Sequence, residues 1–72
     1  MNIEIGSVVT LDDNNEYFVI GDYNIDGKNY FIGRNEKNIG QLILFENMGE
    51  QIRIIKSKDE IDKVIKNIAG IK

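Results

Sequence analysis

The chain has 72 residues, a formal charge of −3, and neither cysteine nor histidine. A chain of this length buries roughly 60% of its unfolded surface and folds with about 4 to 11 kcal/mol in hand, so it is expected to form a single small domain over residues 1–72. The two missing residue types exclude disulfides, thiolate metal sites, cysteine nucleophiles and histidine-based acid–base catalysis.

Met1-Asn2-Ile3-Glu4-Ile5 has neither the basic segment nor the continuous apolar run of a signal peptide, and no later stretch is long enough to span a bilayer. A cytoplasmic protein away from the membrane is the expectation. Isoleucine, asparagine and lysine are abundant while Ala69 is the sole alanine, a codon signature of an A/T-rich genome such as that of a low-GC bacterium or its phage.

Short apolar runs alternate with clusters of Asp, Asn and Gly, the pattern of strands joined by tight turns. The first strand is predicted over 7–11, ended by Asp12-Asp13-Asn14-Asn15, whose short side chains bond nearby backbone. The second, 16–23, and the third, 28–34, are rich in aromatic and β-branched residues. Asp26-Gly27 between them is a strong hairpin signal, because the favoured two-residue turns need positive φ. A two-residue turn and a three-residue loop including Ile25 are both open, and they differ by one residue of register. Further strands are predicted over 40–46 and 50–55. In the last, Ile52 and Ile54 would face the core, with Gln51 and Arg53 facing water.

The period then changes. Ile61, Val64, Ile65 and Ile68 fall at i, i+3, i+4 and i+7, one stripe of a helix over 58–69. Ser57 and Glu60 form a capping-box pattern, Asp59 and Glu60 suit the positive end of the helix dipole, and Gly70 is a stop. Asp59–Lys63 and Asp62–Lys66 are favourable i,i+4 pairs. Strands two to four carry consecutive apolar residues, so both faces of the sheet need cover. The fold class expected is α+β, mainly β: a small curled antiparallel five-stranded sheet or SH3-like barrel with one C-terminal helix. Gly21 and Gly33 suit the bends that curling requires, and a homodimer is the alternative cover.

Candidate functional residues are few. Tyr17 and Tyr23 share strand parity, and a two-residue turn would set Tyr23 opposite Tyr30, giving a three-phenol face for a partner. Small barrels use such surfaces for extended peptides or stacked bases. Only Lys28 and Arg34 supply nearby positive charge, so another protein is preferred to single-stranded nucleic acid as the partner. Asp12, Asp13, Asn14 and Asn15 lack the spacing of a calcium loop. No carboxylate pair is suited to acid–base work, and the glycines match no phosphate-binding pattern. No metal, cofactor or catalytic residue is therefore assigned, and the expectation is a non-catalytic protein-binding module, an accessory or inhibitory subunit.

The succession Val8-Val9-Thr10-Leu11-Asp12, Glu16-Tyr17-Phe18-Val19-Ile20, Ile25-Asp26-Gly27-Lys28-Asn29-Tyr30 and a Ser-Lys-Asp-Glu helix start at Ser57 resembles the YrzB-like family of small uncharacterised bacterial proteins. Those proteins share the order of strand, turn, strand, Asp-Gly-Lys-x-Tyr hairpin and C-terminal helix, but are more acidic than this chain. The resemblance implies the architecture and carries no site residues.

Overall fold

The Asp26-Gly27 turn sets the centre of the sheet. Both residues have positive φ, 53° and 80°, the conformation of the two-residue turn whose twist matches that of its strands. It pairs Ile25 with Lys28 and Tyr23 with Tyr30, which resolves the register in favour of the shorter loop. The computed structural model describes residues 3–70. Around this hairpin run β1 (Val8–Thr10), β2 (Glu16–Ile25), β3 (Lys28–Asn35), β4 (Leu42–Asn47) and β5 (Ile52–Ile54), followed by helix α1 (Lys58–Ala69). The strands form one antiparallel sheet in the order β1-β2-β3-β4-β5. The sheet curls into a half-barrel, and with its one C-terminal helix the fold is a small, mainly β, α+β fold.

β4 begins two residues later than expected because Asn35 organises the preceding turn. Its Oδ1 accepts the Lys37 and Asn38 backbone N–H groups, and its Nδ2 donates to Gln41 Oε1. Gly40 and Gln41 are thereby drawn into the turn. The side chain that does this is only 5% exposed and fully bonded, as burial of an amide requires.

Both faces of the central strands are buried, by different means, while the outer face at the β1 end stays open around Val8 and Phe18. All five strands contribute to an inner face, where Tyr17, Val19, Phe31 and Phe45 pack with Ile3 and Leu11, bordered by Val9, Ile43, Ile52 and Ile54. Phe31 and Phe45 stack with ring centres 5.4 Å apart. Gly33 makes this packing possible. A Cβ there would lie 3.0 Å from the Tyr17 Cβ and 3.2 Å from the Phe45 ring. The opposite face holds Tyr30, Leu44 and Ile55 beneath Val64 of α1, flanked by Ile25, Ile32, Ile61 and Ile68.

The helix starts and stops where the sequence indicates. Ser57 is extended, its Oγ accepts the Glu60 N–H, and Gly70 closes the C-terminus at φ 71°, the left-handed conformation that glycine takes without penalty. Three details differ from expectation. The Glu60 side chain turns to the sheet, so only one half of the capping box is made. Lys63 pairs with Asp26 across the hairpin at 3.7 Å, and the two i,i+4 pairs do not form. Ile65, placed on the buried stripe, is 46% exposed, because β5 ends at Ile54 and leaves the sheet too narrow to reach beneath it.

Replacing Phe45 by Ala should lower the unfolding free energy by about 3–5 kcal/mol, as read from a urea titration. Val64→Asp should unfold the chain by burying an unpaired charge, whereas Ile65→Asp should leave the melting curve within about 0.5 kcal/mol of wild type.

Candidate functional site

Whether the tyrosines share a face depends on β2. Val19 pairs with Gly33 and Gly21 with Ile32, so Ile20 is an extra residue bulged out of the ladder. A bulge of one residue exchanges the faces of everything beyond it. Tyr17 therefore belongs to the inner face and Tyr23 to the helix face, opposite Tyr30. The single three-phenol surface expected from parity does not form. Tyr17 is fully buried and Tyr30 is 4% exposed. Tyr23 is half-buried and lies across Gly21, its Cε2 2.7 Å from where a Cβ would stand. Its ring fills the space that the glycine vacates.

Each buried phenol has a carboxylate partner. Tyr17 donates to Asp13 Oδ2 at 2.6 Å, while Asp13 Oδ1 accepts the Asn15 N–H. The bond from Tyr17 lowers the Asp13 pKa, and the same bond, together with burial, raises that of Tyr17. The Asp12–Asn15 segment is thus a turn locked onto β2, with Asn14 at φ 64°. Among the described residues no group of three or more acidic side chains could hold a metal ion.

Tyr30 belongs to a larger array. Tyr30, Glu46 and Arg53 lie in one row across β3, β4 and β5, and Glu60 descends on them from the first turn of α1. Arg53 Nη2 is 2.6 Å from Glu46 Oε1 and 2.7 Å from Glu60 Oε2, and its Nη1 donates to Glu60 Oε1 at 3.0 Å. The Tyr30 hydroxyl donates to Glu60 Oε2 at 3.2 Å. Burial raises the Tyr30 pKa, reinforced by Glu60. The Arg53 guanidinium holds Glu60 below its ordinary value, and the two carboxylates raise that of Arg53. Arg53, expected to face water, is the link between edge strand and helix. The array is consumed by its internal bonds, with no buried side-chain nitrogen or oxygen among the described residues left unpaired.

The open surface lies elsewhere. β1 and β5 are the two edges of the sheet, and the unclosed seam of the half-barrel carries a groove of about 790 Å³. Ile43, Ile52 and Ile54 form its apolar base, with Asp12 and Asp13 on one wall and Tyr17 below them. A second groove of about 360 Å³ runs between α1 and the sheet, lined by Ile32, Leu42, Leu44, Ile55, Ile61 and Ile65. The two share Ile43, Ile54 and Lys56 and so meet at the edge. Leu42 and Ile65, 57% and 46% exposed, flank the second. Of the tyrosines named from sequence, only Tyr17 borders either groove. No local signal marked the seam: the first and last strands read as 7–11 and 50–55 in the sequence and shorten to Val8–Thr10 and Ile52–Ile54 only in the fold. No helix among the described residues is long and apolar enough to cross a membrane. Compared with family models, curated proteins and solved structures, the chain gives no match in any of the three.

A carboxyl that is more acidic in the folded chain than in the unfolded one stabilises the fold above its unfolded pKa and gives that up as the pH falls through its folded value. Glu60 and Asp13 are both of this kind. The urea midpoint should therefore decline from about pH 5 downward. Glu60→Gln should start lower at pH 7 and lose less over the same interval.

Proposed function

We propose that this chain is a non-catalytic protein-binding module, an accessory or inhibitory subunit of bacterial or phage origin. The observation that carries the proposal is the unclosed seam, where two apolar-based grooves meet at a sheet edge and Leu42 and Ile65 stand exposed beside them. Exposed apolar surface that is grouped rather than scattered marks sites of association. The shifted titratable groups argue in the same direction. Glu60, Arg53 and Tyr30 bind one another, as do Asp13 and Tyr17, so neither set is disposed to move protons to or from a substrate. Base stacking would require free ring faces, and Tyr17 and Tyr30 are buried within the two cores.

The test is affinity purification of the tagged full chain from its native cell, with the associated protein identified by mass and the assembly sized by light scattering. A protein partner in fixed stoichiometry is expected. The double variant Leu42→Glu, Ile65→Glu should lose it while melting like wild type, since both positions are exposed. A chain that purifies alone, or that turns over a substrate, defeats the proposal.

A further inference from the structure

We infer that the outer edge of β5 accepts an extended segment of the partner as a sixth strand, a segment with apolar side chains on both of its faces and a lysine or arginine facing Asp12 and Asp13. The inference rests on the protein-binding reading and specifies its mode.

Met48 N–H donates to Gln51 O and Ile55 N–H to Leu44 O, both at 2.9 Å. Hydrogen-bonded and non-bonded pairs alternate along an antiparallel ladder, so Arg53 and Glu46 form the bonded pair between them. Ile52 and Ile54 are non-bonded positions. Their N–H and C=O groups point away from β4, toward the seam. The same alternation holds on the other edge. Leu11 N–H donates to Asn15 O and Val19 N–H to Ser7 O, which turns the backbone groups of Val8 and Thr10 outward. Edge strands are commonly blunted by proline, by inward-pointing charge or by brevity; β5 has neither of the first two at Ile52 and Ile54, and its three residues limit the segment it takes to a short one.

The two grooves meet at that edge. Successive residues of an added strand point to opposite faces. One set would enter the inner groove over Ile43, Ile52 and Ile54, and the other would pass Arg53 on the helix face and continue into the groove lined by Leu42, Ile61 and Ile65. The base of each groove is apolar, so the segment needs an apolar side chain on each face where it crosses that base. Arg53 is already held by Glu46 and Glu60 and Lys56 stands where the two grooves meet, so a cation is selected at the opposite wall, by Asp12, which is exposed, and by Asp13, which also accepts the Tyr17 hydroxyl.

The experiment selects peptides from a displayed random library on the full-length chain, measures their affinity by fluorescence anisotropy, and follows amide hydrogen exchange of the 15N-labelled protein. Selected peptides should carry a run of β-branched or aromatic residues and a lysine or arginine, and should slow exchange at Ile52 and Ile54. Ile52→Pro removes one outward donor at a position where an edge strand tolerates proline. It should weaken binding about tenfold, the scale of one lost hydrogen bond in a complex, whereas Ile52→Val keeps the donor and should bind like wild type. Asp12→Asn should weaken binding of the cationic peptides.

Exchange at Ile52 and Ile54 in the wild-type chain decides the matter even where the proline variant fails to fold. Peptides that bind without protecting those amides overturn the inference and leave the protein-binding reading intact. So does a second copy already occupying the edge, recognised as a dimer by light scattering with Ile52 and Ile54 protected in the free chain. A library that yields no binder also overturns it.

Discussion

Burial on both sides of one thin sheet is the constraint on which this molecule depends. Its inner face takes Tyr17, Phe31 and Phe45 and closes over them by curling, which in turn requires Gly33 to bring β3 against Tyr17 and Phe45. Its other face has only a twelve-residue helix for cover. A helix of that length is marginal in isolation, so α1 exists because Tyr30, Leu44 and Ile55 need it, and they remain buried because it is there. Sheet and helix are stabilised together.

The Arg53 array performs the polar part of the same task. A helix laid on a sheet by apolar contact alone has little to fix its direction. Glu60, in the first turn, receives Arg53 from β5 and Tyr30 from β3, which anchors the start of α1 over a particular pair of strands. Exposed ion pairs contribute little singly. Here the glutamate at the sheet, Glu46, is 7% exposed, and its charge needs the guanidinium. The apolar contacts of Val64 hold the helix down, and the array sets where it begins.

Much of this was legible in the sequence, and the divisions have physical causes. Asp26-Gly27, Ser57 and Gly70 act through their own backbone conformation, so the hairpin and the helix limits could be read locally. The bulge at Ile20 was half legible: Gly21 marked a bend in that strand, but which residue leaves the ladder could not be read, because Phe18, Val19 and Ile20 look the same inside it or outside it. That one residue separated Tyr17 from Tyr23 and dissolved the expected tyrosine surface. The roles of Glu60 and Arg53 were hidden for a related reason: each depends on the register of β4 with β5 and on where the helix lands, neither of which a local pattern contains. Ile65 fell on the apolar stripe, but a stripe does not report how wide the surface beneath it is.

The brevity of β5 bears on a different problem, the solubility of a chain with an unpaired sheet edge. An exposed strand edge is a template for indefinite stacking when it is long and flat. β5 has three residues, of which two turn their backbone groups outward, and the chain leaves the sheet immediately afterward for Lys56 and the helix. An edge this short can hold one short segment in register but gives a growing fibril too few bonds per layer to propagate. The opening in the half-barrel is therefore long enough to receive one segment and too short to serve as a template for stacking.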